Sequence, residues 1–80
     1  MKLPRDASGA DLAKALSRVG YRITRQTGSH IRLTTDSPTQ KHITIPAHDP
    51  LKVGTLAAIL SEIASHLKID RQELQDRLFR

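Results

Sequence analysis

Tyr21-Arg22-Ile23-Thr24-Arg25-Gln26-Thr27-Gly28-Ser29-His30-Ile31-Arg32-Leu33-Thr34-Thr35 alternates apolar and polar residues on both sides of a glycine turn. That is the pattern of two half-buried strands joined as a hairpin. Tyr21 and Ile23 on the first strand, and Ile31 and Leu33 on the second, must all face one core. They share a face if Ile23 stands opposite Ile31, and this register requires a loop of odd length. Gln26-Thr27-Gly28 supplies it, matching a type I turn followed by a left-handed residue, where glycine carries no steric penalty. The same register gathers Arg22, Thr24, His30, Arg32 and Thr34 on the opposite face, with Thr24 across from His30 and Arg22 across from Arg32. Directly opposed arginines repel each other, a cost most readily accepted where an anion sits between them.

Outward from the hairpin, Ser8 and Asp11 form a capping pair that opens a helix, with Leu12, Ala15, Leu16 and Val19 on one stripe and Gly20 as its stop. Lys14 and Arg18 lie on its solvated side. After the polar turn from Asp36 to Lys41, His42-Ile43-Thr44-Ile45-Pro46 reads as a third strand with both isoleucines inward. A second helix starts near Val53 and carries Leu56, Ile59, Leu60, Ile63 and Leu67 on one face. Asp70 and Glu73 cap a short last helix, Arg71 to Phe79, with Leu74 and Leu78 inward. The order α-β-β-β-α-α, with a polar outer sheet face, predicts an α+β two-layer sandwich: a three-stranded antiparallel sheet with helices on one face. One domain spans 1–80, with its core in 1–67 and the short helix 71–79 appended.

Eighty residues bury only about 60% of the unfolded surface, so the core is thin. Thirteen Lys and Arg against eight Asp and Glu give a net charge of +5, and the distribution is uneven. Met1 to Ser61 holds nine basic and four acidic residues, whereas Glu62 to Arg80 holds four of each. Such a surface attracts polyanions through counterion release, with steep salt dependence. The absence of cysteine excludes a disulfide framework or a thiolate metal site. No apolar run is long enough to span a membrane or to act as a secretion signal, and a cytoplasmic location is expected.

A lone histidine among arginines suits phosphate chemistry. RNA carries its own nucleophile, the 2′-hydroxyl, so a metal-free nuclease needs a base, an acid for the leaving 5′-oxygen, and cations for the developing charge. Imidazole titrates near neutrality, and positioned acid/base catalysis contributes about 10²- to 10⁴-fold. His30 is the candidate catalytic residue, supported by the turn residues Gly28 and Ser29. Arg22, Arg25, Arg32, Lys41, His42 and Lys52 are the candidate RNA and phosphate contacts. If His30 is the base, His42 is a candidate acid provided the register of the second and third strands brings it close, with water as the alternative. A base role predicts loss of activity below about pH 6, and an acid role shifts the loss to higher pH. His48 is expected to fix its loop by a side-chain hydrogen bond, and His66 to lie on a helix surface. Lys52 precedes a helix N-terminus with unpaired N–H groups, while Gly54 beside it has an alternative purpose in close helix packing. The four histidines lack the spacing and carboxylate support of a zinc site, so neither metal nor other cofactor is expected. Tyr21 and Phe79 are the only aromatics and both are expected inward, so base-stacking platforms are missing and sequence preference should be weak.

Taken together, Met1-Lys2-Leu3-Pro4-Arg5-Asp6, the helix through Lys14 and Leu16, Gly20-Tyr21, Arg25-Gln26, Gly28-Ser29-His30, Ile43 to Pro46, His48, and Leu51 to Leu60 with Gly54-Thr55-Leu56 resemble the HicA (YcfA-like) toxins over about residues 1–64. The resemblance implies a double-stranded-RNA-binding-domain-like fold. It also implies a toxin that cleaves mRNA and blocks translation until a HicB antitoxin masks it, with His30 as the catalytic residue. The tail from Glu62 to Ile69 is longer than the family pattern. Partners are then RNA and a HicB-like antitoxin, the free chain being a monomer or weak homodimer. Competing readings are a non-catalytic RNA-binding module of the same fold, and an adaptor whose sheet face binds an acidic protein.

Overall fold

A computed structural model describes residues 7–79. The order is α1 (Gly9–Ala15), a 3-10 turn (Leu16–Val19), β1 (Arg22–Gln26), β2 (His30–Thr35), β3 (Lys41–Pro46), α2 (Val53–Leu67) and α3 (Arg71–Phe79). The three strands form one antiparallel sheet with β2 in the centre. This is the α+β arrangement expected. The Met1 to Asp6 string lies outside the described residues.

Local chemistry sets the helix limits. Ser8 Oγ accepts from Asp11 N–H at 3.0 Å, and the Asp11 carboxylate accepts from Ser8 N–H at 3.3 Å, a reciprocal cap. The first helix tightens and stops at Gly20, whose φ of 94° is left-handed. Asp70 Oδ1 accepts from Glu73 N–H at 2.7 Å and opens α3. α2 ends instead on Lys68, a non-glycine residue at φ 60° whose N–H reaches the Ala64 and Ser65 carbonyls. Arg18, expected in solvent, donates to the Leu78 carbonyl at 3.2 Å and ties the first helical segment to the end of α3.

The inward residues Ile31, Leu33, Ile43 and Ile45 pack in one cluster with Leu12, Leu16, Tyr21, Leu56, Leu60, Ile63, Leu74 and Leu78. Burial of this apolar surface is the main stabilising term, each large side chain contributing about 1.5–3 kcal/mol. Ile23 departs from expectation. It pairs with Leu33 but sits on the edge strand and stays 47% exposed, beside Ala13, Lys14, Ser17 and Tyr21. Tyr21 is buried, and its hydroxyl has no hydrogen-bond partner among the described residues. Burial, and secondarily the Glu62 carboxylate, raise the Tyr21 pKa above its ordinary 10.0.

The hairpin register also differs from the parity argument. Arg22 opposes Thr34 and Ile23 opposes Leu33, but beyond a bulge at Thr24 the pairs become Arg25 with Arg32 and Gln26 with Ile31. The bulge restores parity that an odd loop was expected to supply. Gly28 is not in the left-handed region, since Gly20 is the one described glycine with positive φ. The turn closes through Thr27 instead: its N–H donates to His30 O at 2.9 Å, and its Oγ1 accepts from His30 N–H at 3.3 Å.

Gly9 carries a constraint that its sequence context does not announce. A Cβ there would overlap the Pro46 carbonyl oxygen, and Gly9 N–H donates to His48 O at 2.9 Å. Only glycine lets the start of α1 lie this close to the end of β3.

Candidate active site

Residues three apart on a regular strand point to opposite faces, so Arg22 and Arg25 would be divided between core and solvent. The Thr24 bulge rephases β1. Arg22 now shares a face with Thr34, and Arg25 with Arg32, and both faces are the outer one. β3 adds His42 opposite Thr34 and Thr44 opposite Arg32. A basic sheet face results, opposed to the helices.

The expected Arg22–Arg32 opposition is replaced by Arg25–Arg32. Arg22 is instead paired with Asp36, Nη1 to Oδ2 3.1 Å. Neither Arg25 nor Arg32 has a carboxylate partner among the described residues. Two guanidinium groups facing each other across a ladder position are a local cost of about 0.2–1 kcal/mol, and their forks match the oxygens of a phosphate.

His30 opens the central strand and is exposed on this same face. Its ladder neighbours are Thr27, which replaces the expected Thr24, and Pro46. Ala47 N–H extends the β3 contact by donating to Ser29 O at 2.9 Å. The dipeptide Ser29-His30 is thus clasped by backbone bonds from both sides. Ser29 Oγ and His30 Nδ1 are hydrogen-bonded at 3.0 Å. Arg32, two residues along, stands about 7 Å away on the same face.

His42 does not join His30 at one bond. It faces Thr34, four residues from His30, about 13 Å along the strand, so the acid role conditional on register is overturned. His42 Nδ1 bonds Thr34 Oγ1 at 2.8 Å, and Thr34 Oγ1 bonds Thr24 Oγ1 at 3.0 Å. Arg22, Thr24, Arg25, Arg32, Thr34 and His42 line a shallow depression from which His30 is absent. The Thr24–Thr34 contact depends on the bulge and the Thr34–His42 contact on the β2–β3 register, neither of which the sequence displays.

Other candidates fall elsewhere. Lys41 alternates onto the helix side, its Nζ 3.6 Å from Glu62 Oε2, and so leaves the outer basic face. Lys52 stands at the start of α2 without a side-chain cap bond. Gly54 is exposed, and a Cβ there would meet open space, so close helix packing does not explain it. His48 contributes its carbonyl, accepting from Gly9, rather than its ring. His66 is more than a surface residue: its Nε2–H donates to Thr39 O at 3.0 Å, and its ring lies edge-on to Tyr21 with centroids 6.5 Å apart. Among the described residues, no three His, Asp or Glu side chains converge as a metal site requires, and no helix is long and apolar enough to cross a membrane.

Compared with known families, the chain matches "HicA toxin of bacterial toxin-antitoxin" over residues 9–64. The chain belongs to the HicA toxin family. The match runs from the glycine that begins α1, through the Gly28-Ser29-His30 turn and all three strands, into α2. HicA membership makes the chain the toxin half of a toxin–antitoxin pair, with a HicB-type antitoxin as its general partner. α3 lies beyond the matched HicA segment. No curated protein and no solved structure matched the chain.

Proposed function

We propose that the chain is a metal-independent endoribonuclease that arrests translation by cleaving mRNA with His30. One observation carries this: an exposed imidazole on the central strand stands on the same sheet face as the opposed pair Arg25 and Arg32. Family membership supports the toxin context.

In the proposed reaction, His30 Nδ1–H donates to Ser29 Oγ, which leaves the Nε2 lone pair free as a base. Nε2 takes the proton from the ribose 2′-hydroxyl, whose oxygen attacks the adjacent phosphorus. The P–O5′ bond breaks, and water supplies the proton to the departing 5′-oxygen. Arg25 and Arg32 stabilise the charge that builds on the phosphoryl oxygens. The products are a 2′,3′-cyclic phosphate and a 5′-hydroxyl.

Purified chain incubated with RNA in excess chelator is expected to release fragments with those termini. His30→Ala should abolish cleavage and growth arrest while retaining most salt-sensitive RNA binding. Cleavage that survives His30→Ala removes the residue from the mechanism, and RNA left intact by the wild-type chain favours the non-catalytic binding module.

A further inference from the structure

We infer that the depression between Arg22, Arg25, Arg32 and His42 is a proton-dependent binding site for an RNA backbone phosphate other than the one cleaved. The identity of the ligand rests on the nuclease reading above. Its proton dependence rests on the Thr24–Thr34–His42 hydrogen bonds, which the reaction at His30 does not use.

Three hydrogen bonds run in sequence. His42 Nδ1 meets Thr34 Oγ1 at 2.8 Å, Thr34 Oγ1 meets Thr24 Oγ1 at 3.0 Å, and Thr24 Oγ1 donates to the Arg32 carbonyl at 3.4 Å. The last link is the longest, but it fixes the direction of the others, because a carbonyl oxygen can only accept. Thr24 spends its one proton on Arg32 O, so Thr34 must donate to Thr24. Thr34 has then spent its own proton, so His42 Nδ1 must carry the hydrogen. Thr34 is 3% exposed, which shields the two bonds it makes from competing water.

The consequence concerns the other nitrogen. Neutral His42 held as the Nδ1–H tautomer presents a bare lone pair at Nε2, which a phosphate oxygen repels. Imidazolium keeps the bond to Thr34 and gains an Nε2–H to donate. The hydroxyl chain thus makes anion binding here conditional on a proton. The charged groups around the ring are Arg22, with its Asp36 partner, and Arg25 from β1, and Arg32 from β2; on the helix side of β3, Lys41 is paired with Glu62. Because bound phosphate favours the imidazolium, affinity at this site is expected to fall as pH rises.

His42 lies about 13 Å from His30 along the sheet, too far to serve the same phosphodiester. An extended strand whose cleaved bond lies at His30 would run past Arg32 and Arg25, which stand between the two phosphates and border both.

The test uses the full wild-type chain and a 2′-O-methyl RNA oligonucleotide, which lacks the nucleophile and cannot be cut. Affinity by fluorescence anisotropy from pH 5.5 to 8 is expected to fall roughly tenfold, the worth of one charge-assisted hydrogen bond. Thr34→Val, of similar shape, frees the ring to adopt the other tautomer and should flatten that fall to less than about threefold. Thr24→Val, at an exposed position, should act in the same direction. The ¹⁵N shifts of the neutral His42 ring should report Nδ1–H. An Nε2–H ring, or equal pH dependence in wild type and both valine variants, overturns the proposal. Failure of the nuclease reading appears separately, as uncut natural RNA.

Discussion

Gly9 and Pro46 touch so closely that any Cβ on the first would overlap the carbonyl oxygen of the second, and Pro46 is the ladder partner of His30. The entry of the first helix thereby abuts the strand end that supports the Gly28-Ser29-His30 turn. Gly9→Ala should destabilise the chain by about 1–3 kcal/mol, the cost of overpacking a rigid contact. Urea denaturation measures this; an unchanged midpoint would mean that α1 can shift off Pro46 freely.

The opposed pair Arg25 and Arg32 is expected to set stability against RNA binding. Arg25→Gln or Arg32→Gln, made singly, should raise unfolding stability by about 0.2–1 kcal/mol as the repulsion is relieved. The same change should weaken RNA binding and reduce the salt slope by about 0.7 for each phosphate of single-stranded RNA that is no longer neutralised. Thermal melts paired with a salt titration of RNA affinity check both halves. Unaltered salt dependence would place these guanidinium groups off the RNA path.

Tyr21 makes a prediction about alkali. Its pKa is raised by burial and then by Glu62, so the folded state holds the phenolic proton above pH 10.0 while the unfolded state releases it. Folding stability from this group is fully present below the unfolded value and declines as pH rises toward the folded one. Tyr21→Phe should remove that decline. It also deletes a buried hydroxyl that lacks a partner among the described residues, so stability near neutrality should hold or rise by about 1 kcal/mol. Equal alkaline loss in both proteins would assign the effect to another group.

Lys68 closes α2 in the left-handed region, where a side chain costs about 1–2 kcal/mol. Lys68→Gly recovers part of this, offset by the greater freedom of glycine in the unfolded chain. A gain of about 0.5 kcal/mol is expected in thermal denaturation; a loss would show that the Lys68 side chain stabilises the α2–α3 junction.

Which parts of this architecture could be read from sequence follows from the range of the forces involved. The caps at Ser8 with Asp11 and Asp70 with Glu73 are local, and their reading matched the structure, as did the inward stripes of α2 and α3 and the outward aspect of His30. Register was not legible, because parity can be satisfied by an odd loop or by a bulge, and alternation alone does not choose between them. The choice moved Arg25 into opposition with Arg32, removed Gly28 from the left-handed region, and brought Thr24 into contact with Thr34. Gly9 was missed because its contact lies 37 residues away at Pro46. His66 was underestimated because its acceptor, Thr39 O, belongs to a loop. Lys41 could have been placed from the outset, since alternation with the inward Ile43 and Ile45 turns it to the helices.

The extra residue at Thr24 means that the polarity of this surface is encoded by length as well as by composition. Excising one codon there would leave every arginine in the gene yet rotate one of Arg22 and Arg25 toward the apolar layer. A hairpin of this kind can therefore gain or lose positive charge on its outer face through an insertion or deletion event, a route that a comparison of charge totals would not detect.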